Sequence, residues 1–330
     1  MSLLGKSGIG LYASKLLSAV SPESRIFLVA RNSEKANFTK EQVHSIPGYH
    51  PLSENIIPMT CDHTSFESVR KFCTELRLKL LETKTKENTS EGIDVLCLNA
   101  AILLGEDSKA VFTQDDFEIT FQTNHLAPFL ISNLLFDLIN PGGRVVVTSS
   151  GLHAFSSFGE FAGINDKFQS SKKRFEMVNG QEFDHKQSYA ASKLCNVAFC
   201  LGLNRRLSKK NARAVCFTPG LIPESGLFRH QKNWLQTVMM KEAVGMDDTV
   251  EWGGSMLAWM ALSDRAILED NNTGMAYWRA PLGISKRGGK ITKDVYLAPV
   301  NEEATIHTNQ DILWKISAEL AGVSFERHIE

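Results

Sequence analysis

The sequence lacks the spacings that hold metals: there is no Cys-x-x-Cys pair and no His-x-x-x-His or His-Glu-x-x-His, although the chain carries 6 cysteines and 9 histidines. No metal site is therefore expected. Cys61, Cys73, Cys97, Cys195, Cys200 and Cys216 sit mostly in apolar runs and read as buried thiols of a reducing compartment rather than disulfide partners. An excess of charge is missing as well. Lys and Arg number 36 against 37 Asp and Glu, which removes any whole-chain electrostatic case for nucleic acid. The richest apolar run, Phe129 to Ile139, is broken by Ser132, Asn133 and Asp137, so nothing approaches the roughly 18 to 20 apolar residues of a membrane span. The first residues show neither a signal nor a transit pattern, and no internal repeat is visible.

What is present suits a large core: 330 residues, of which 43% are hydrophobic and 22% charged. Short β-branched runs alternate with longer amphipathic stretches, the pattern of an α/β fold with a doubly wound parallel sheet and helices on both faces. Strands are expected at Arg25–Ala30, Asn55–Thr60, Asp94–Leu98, Arg144–Thr148, Arg213–Phe217 and Gly274–Trp278. Helices are expected between them, notably at Gly8–Ala19, Ser65–Leu81, Gln114–Ile139, Ser188–Leu207 and Val250–Leu262, with a last one at Gln310–Ala321. Residues 1–330 read as one domain. It is interrupted by a polar surface loop at Glu82–Glu91, a long insertion at 155–187 and an irregular Gly/Lys-rich stretch after Ala280.

Tyr189 and Lys193 lie one helical turn apart, so they share a face. A nearby ammonium favours the phenolate, so the pair is expected to lower the Tyr189 pKa from about 10 and make a usable proton donor. The same spacing also fits a solvated helix face. Gly5-Lys6-Ser7-Gly8-Ile9-Gly10 precedes an apolar-periodic helix, where glycines let a pyrophosphate approach backbone amides; a plain loop is the alternative. Arg31 follows the second strand, where a guanidinium favours a ribose 2′-phosphate and hence NADPH, or is simply an exposed cation. Asp62 follows the third, placed for an adenine amino group or as the cap of the next helix. Asn99-Ala100-Ala101 and the run ending in Ser150-Gly151 close the next two strands with small and polar residues; ordinary strand-end turns would look the same. In an open parallel sheet these turns converge on one crevice. Pro128 lacks an N–H, so within a helix the Asn124 carbonyl loses its partner and could hold a water; alternatively the helix starts only at Pro128.

Tyr189-x-x-x-Lys193, Ser150, Asn124, Asn99-Ala100-Ala101 and Gly8-Ile9-Gly10, in this order, resemble the short-chain dehydrogenase/reductase superfamily over nearly the whole chain. The resemblance implies a Rossmann-type fold and a nicotinamide cofactor. It makes Tyr189 the proton donor, with Lys193 lowering its pKa and holding the ribose, Ser150 polarising the substrate and the Asn124 carbonyl holding a relay water. A narrower match is to the light-dependent protochlorophyllide oxidoreductases. It rests on Met177 to Phe183, Leu194-Cys195-Asn196, Pro219-Gly220, Gly226 to His230, Leu313 to Val323 and the long insertion before Tyr189. That family uses NADPH and light to reduce a ring C=C bond of protochlorophyllide. The match adds Pro219 and Gly220 to the cofactor contacts and puts Leu103, Leu221, Phe228 and Cys195 in the substrate pocket. It makes residues 226–243 a lid over the pigment or a peripheral membrane contact, because Leu227, Phe228, Trp234, Leu235, Val238 and Met239 can share one helical face; a helix capping the core is the alternative. A homo-oligomer is compatible with it, as is a plastid location; otherwise the chain is expected in the cytoplasm.

The chain departs from that family at Leu221, where the family carries a Cys, at Leu103, where it usually carries an aromatic hydroxyl, and at Ala127-Pro128, where it carries Gly-His. These changes suggest an altered substrate, and they leave two other expectations standing. One is a light-independent NADP(H)-dependent carbonyl or alcohol oxidoreductase of the retinol-dehydrogenase type; the other is a non-catalytic pigment- or nucleotide-binding relative. Leu3 and Leu4 stand where the family's Thr-Gly would be, so the first strand is expected to be missing, along with any plastid leader that preceded it.

Overall fold

The structure, a computed structural model, describes residues 2–3, 8–44, 55–81, 92–158, 182–231, 249–268, 277–279 and 295–324. Strand β1 (Ser2–Leu3) is followed by α1 (Ile9–Val20), β2 (Ile26–Ala30), α2 (Ser33–His44), β3 (Ile56–Thr60), α3 (Phe66–Leu81) and β4 (Ile93–Leu98). Next come α4 (Ile119–Phe121), a π-turn at Gln122–Leu126, α5 (Ala127–Leu134), β5 (Ile139–Thr148) and a 3-10 turn at Gly151–Phe155. The remainder comprises α6 (His185–Leu207), β6 (Arg213–Thr218), α7 (Val250–Leu262), α8 (Arg265–Leu268), β7 (Tyr277–Arg279), β8 (Tyr296–Leu297), α9 (Glu302–Thr305) and α10 (His307–Ala321).

The strands form one sheet in the order β3-β2-β1-β4-β5-β6-β7-β8. All neighbouring pairs from β3 through β7 are parallel, and β8 closes the edge antiparallel to β7. The central slot, expected to be empty, holds two residues: Ser2 pairs with Leu28 on one side and Cys97 on the other, and Leu3 pairs with Leu98. Two residues suffice to bridge β2 and β4 because parallel strands are set in register by their flanking helices and their apolar faces, not by one strand's length alone. β2 is buried at all five positions, as a strand covered on both faces must be.

Two apolar clusters cover the two faces of the sheet. One joins α3, α5, α6 and α10, centred on Phe72, Phe129, Phe199 and Trp314. The other joins α1 and α7 through Ala13, Leu17, Met256, Leu257 and Met260. α1 and α7 approach closely because α7 presents Gly253-Gly254: a Cβ at Gly254 would lie 2.5 Å from Tyr12 Cβ, and one at Gly253 would lie 2.4 Å from Ile222 Cδ1.

The long helix expected over Gln114–Ile139 is broken up. It begins at Ile119, widens into the π-turn, ends at Leu134 and gives way to β5 at Ile139. Glu118 sets the start by accepting the N–H groups of Thr120 and Phe121, at 2.9 Å each, and Pro128 sits in the first turn of α5. Both readings of Pro128 are thus partly met: the helical path is continuous, but the π-turn precedes the proline, with Ala127 N–H reaching the Gln122 carbonyl. α2 escaped the sequence reading because only Ala36, Thr39 and Val43 of its 12 residues are buried, too few for a clear apolar stripe.

Candidate functional site

The ends of β4, β5 and β6 and the start of α6 meet at one place. Asp184 caps α6 by accepting Gln187 N–H at 2.7 Å, which fixes the phase of the helix before Tyr189. The Tyr189 hydroxyl is hydrogen-bonded to Ser150, and Lys193 Nζ donates to the Thr148 carbonyl at 3.0 Å while lying 5.5 Å from the centre of the Tyr189 ring. Ser149 Oγ donates to the Lys193 carbonyl at 2.9 Å, so β5 holds the same helix turn by both backbone and side chain. The solvated-face alternative is excluded, since Tyr189 is 5% exposed and Lys193 1%.

Burial also reverses the expected direction of the Tyr189 pKa. Desolvation of the phenolate raises it, and the hydrogen bond from Ser150 opposes this without prevailing. The same burial pulls the Lys193 ammonium down to about 8. Tyr189 therefore stays a phenol at neutral pH, the form required of a proton donor, and Lys193 still carries its charge below about pH 8.

Asn124 is wholly buried, and its side chain clamps the loop after β4. Oδ1 accepts Ile102 N–H at 2.8 Å, and Nδ2 donates to the Ile102 carbonyl at 3.0 Å and to Ser192 Oγ at 3.1 Å. Ser192 in turn donates to the Tyr189 carbonyl at 2.7 Å. The residue singled out for its carbonyl is seen here to act through its side-chain amide, tying Ile102, just after Asn99-Ala100-Ala101, to the Tyr189 helix. Asn99 itself accepts from Thr148 Oγ1 at 3.1 Å, which joins the ends of β4 and β5.

Two residues missed by the sequence reading complete this scaffold. The Glu118 carboxylate, 1% exposed, accepts from Ser188 Oγ at 2.9 Å besides capping α4, and so links the Asn124 segment to the residue before Tyr189. His153, buried in the turn after Ser150, is bonded through Nδ1 to the Ser150 carbonyl at 2.7 Å, and its Nε2 accepts Asn301 N–H at 3.3 Å. A backbone N–H can only donate, so Nε2 must carry no proton and Nδ1–H must be the donor to Ser150. The only sequence signal was that each lies a few residues from a motif residue.

The nucleotide side is more open. Gly8 begins α1 at φ 76°, a conformation suited to glycine, and among the described residues no side chain caps the helix, which suits its first amides to an anion. By contrast α6 and α7 carry side-chain caps from Asp184 and Thr249. The loop after β6 reaches this point: a Cβ on Gly8 would meet the Ser225 carbonyl at 2.8 Å. Gly5, Lys6 and Ser7 lie outside the described residues; Ile9 is half-buried and Gly10 buried in the first turn of α1. Cys61 N–H donates to the Ala30 carbonyl at 2.8 Å, which sets Arg31 and Asp62 at adjacent strand ends. Arg31 is exposed, and Asp62 does not cap α3: its Oδ1 accepts from Thr64 N–H at 3.0 Å and Thr64 Oγ1 at 2.8 Å, a turn ahead of the helix, while Ser65 Oγ accepts Ser68 N–H at 3.2 Å. These groups fit a dinucleotide phosphate with an adenosine ribose beyond it: an uncapped helix start, a left-handed glycine and an exposed guanidinium.

Among the pocket residues, Leu103 is buried, Leu221 and Phe228 are half-buried and Pro219-Gly220 ends β6 with Gly220 exposed at φ 95°. Cys195 is corrected: it is completely buried in the core cluster with Leu126, Phe129 and Phe199, and burial raises its thiol, so it is a packing residue. Residues 226–231 form turns instead of the first turns of a helix, with Arg229 Nη1 donating to the Gly226 carbonyl at 3.0 Å. They still reach across the crevice, for Gln231 Nε2 donates to the Leu104 carbonyl at 2.7 Å. The rest of the expected lid, with Trp234, Leu235, Val238 and Met239, and residues 159–181 of the insertion lie outside the described residues. Among the described residues, no group of three or more His, Cys, Asp or Glu is placed to hold a metal, and no helix is long and apolar enough to cross a membrane.

Comparison with known proteins agrees with this geometry. A short chain dehydrogenase family model matches residues 4–162. The chloroplastic protochlorophyllide reductase of Chlamydomonas reinhardtii is 27% identical over 340 residues, spanning 96% of this chain and 76% of that one. Mouse retinol dehydrogenase 14 is 31% identical over 205 residues, spanning 61% of this chain and 53% of that one. The chain thus spans between about half and three quarters of the length of such curated relatives. An uncharacterised protein from Mycobacterium paratuberculosis shares the fold, with a TM-score of 0.65 at 21% identity, covering 98% of this chain and 92% of that one. The order of the strands, the Ser150–Tyr189–Lys193 cluster at their carboxyl ends and the family model over residues 4–162 agree: the chain is similar to the short-chain dehydrogenase/reductase superfamily.

Proposed function

We propose that the chain is an NADPH-dependent reductase in which Tyr189 donates the proton, and that its substrate is a large apolar molecule with a reducible double bond, a tetrapyrrole of the protochlorophyllide kind. The observation that carries the chemistry is the buried Tyr189 phenol, hydrogen-bonded to Ser150 with Lys193 over its ring. NADPH, when bound, supplies the hydride. The O–H bond of Tyr189 breaks as the proton reaches the substrate; Ser150 orients the reacting group, and Lys193, charged below about pH 8, compensates the phenolate left behind. Arg31, exposed beyond β2, supports NADPH over NADH. The tetrapyrrole assignment draws on the alignment of 96% of the chain with the algal protochlorophyllide reductase, and a plastid location would follow from it.

A second reading, a light-independent carbonyl reductase, is favoured by Leu103 and Leu221, which bring no hydrogen-bonding group to the pocket. One experiment separates the two. Protein, NADPH and protochlorophyllide are mixed in the dark, illuminated with single flashes and followed by absorbance, in parallel with dark NADPH oxidation by retinal and aryl ketones. Light-dependent loss of pigment that disappears in Tyr189→Phe is expected. Dark turnover alone would transfer the assignment to the carbonyl reading, and absence of both, with NADPH still bound, would remove the enzymatic reading.

A further inference from the structure

His185, Tyr189 and Lys193 follow one another at i, i+4 and i+8, so they form a row along one face of α6. The row runs counter to the chain that leaves β5. Lys193 reaches Thr148 and Tyr189 reaches Ser150, so one further turn back the face comes level with the Gly151–Phe155 turn. His185 is the first residue of α6 and is 8% exposed, yet its Nε2 has no hydrogen-bond partner among the described residues. By contrast, Ser188 is engaged on Glu118, Ser192 on the Tyr189 carbonyl and Lys193 on the Thr148 carbonyl. Space is open beside the row, since a Cβ built on Gly151 meets nothing within 4 Å. A buried ring nitrogen without a partner is costly, and a site that binds a polar group leaves such a partner waiting.

We propose that His185 is a substrate-binding residue whose Nε2–H donates to a carboxylate on the substrate, one helical turn beyond the group that Tyr189 protonates. The inference rests on the reading of Tyr189 as the proton donor. Neighbouring positions one turn apart are about 5–6 Å from each other, so the carboxylate should lie about that far from the reacting atom. A 4-oxo acid meets this spacing, and the same ketone without its carboxylate does not use the site.

The test compares 4-oxo-4-phenylbutanoate with butyrophenone as substrates for the NADPH-loaded wild type, His185→Ala and His185→Gln. Wild type is expected to prefer the oxo acid by about tenfold or more in kcat/KM. His185→Ala should lose about tenfold on the oxo acid, through KM, and nothing on butyrophenone, while His185→Gln, which keeps an N–H donor, recovers part. Equal effects on both substrates, or none, would overturn the proposal. Should wild type reduce neither compound, the readout becomes the side-chain 15N signal of His185 in protein loaded with NADP+. A shift on adding the oxo acid, with weaker binding to His185→Ala, would uphold the carboxylate site and remove only the carbonyl-reductase assignment. No shift and equal binding would sink the site itself.

Discussion

The two sides of the crevice are built on opposite principles. Around Tyr189 the side chains are buried and joined by bonds between segments far apart in the chain: Asn124 to Ser192, Ser188 to Glu118 and Lys193 to Thr148 span 68, 70 and 45 residues. Around Arg31 and Asp62 the groups are exposed or half-buried, and the side-chain bonds of Asp62 reach no further than Thr64. Proton transfer needs groups held to a fraction of an ångström in a water-poor setting, whereas a cofactor that comes and goes needs open amides and charges. On the proposed reading, one side is organised before anything binds, and the other is organised to receive.

The contrast can be broken most sharply at Tyr189. Tyr189→Phe should cut turnover by about 10³-fold with little change in NADPH affinity, since the phenyl ring keeps its packing while the donor is lost. Loss of affinity to the same extent would mean that the two sides are not separable; steady-state kinetics and fluorescence titration decide this.

The second test concerns the stability of the buried side. His125, wholly buried and bonded through Nε2 to Ser317 Oγ at 2.8 Å, is held down to about 4 by desolvation. Its folded value lies below the unfolded one of about 6.5, so the unfolded chain takes up the proton first, and the contribution is full above pH 6.5 and lost as pH falls towards 4. The loss should approach about 3 kcal/mol, given about 1.4 kcal/mol per pKa unit. Denaturant titrations from pH 7 to 4 measure it, and His125→Gln should show a flatter acid limb; an unchanged limb would remove His125 as the cause.

At the alkaline end, Lys193 should lose its proton near pH 8. Turnover is expected to hold below that and to fall by up to tenfold per unit above it, while NADPH binding at the exposed side stays level. A profile flat to pH 10 would show that Lys193 stays charged at its carbonyl. The smallest effect belongs to the open side: Arg31→Gln should weaken NADPH about tenfold, worth about 1.4 kcal/mol, and leave NADH unchanged. Equal losses for both cofactors would show that Arg31 does not read the 2′-phosphate.

Much of this was legible beforehand because it depends on local pattern. The core strands β2 to β6 fall within a few residues of their expected positions, and α3, α6 and α7 begin and end almost where their periodicity places them. The motif residues Ser150, Tyr189 and Lys193 converge as their order implied, because a parallel sheet gathers the carboxyl ends of its strands. The segment from Gln114 to Ile139 was misread because a Glu118 cap, a π-turn and a proline lie within one apolar stretch that looks uniform in period. Cys195 was misassigned because sequence proximity to Lys193 says nothing about which side of a buried helix faces the crevice.

By itself, then, the sequence determined the alternation of strands and helices, the order of the motifs and the one-turn spacing of Tyr189 and Lys193, all consequences of backbone periodicity. Tertiary structure decided the rest. It set a two-residue strand into the centre of the sheet, buried Glu118 and His153 as supports, left His185 Nε2 without a partner among the described residues and turned the Tyr189 phenol up instead of down. Desolvation and long-range hydrogen bonds act between residues that only folding brings together, so neither is written in the spacing of the motifs.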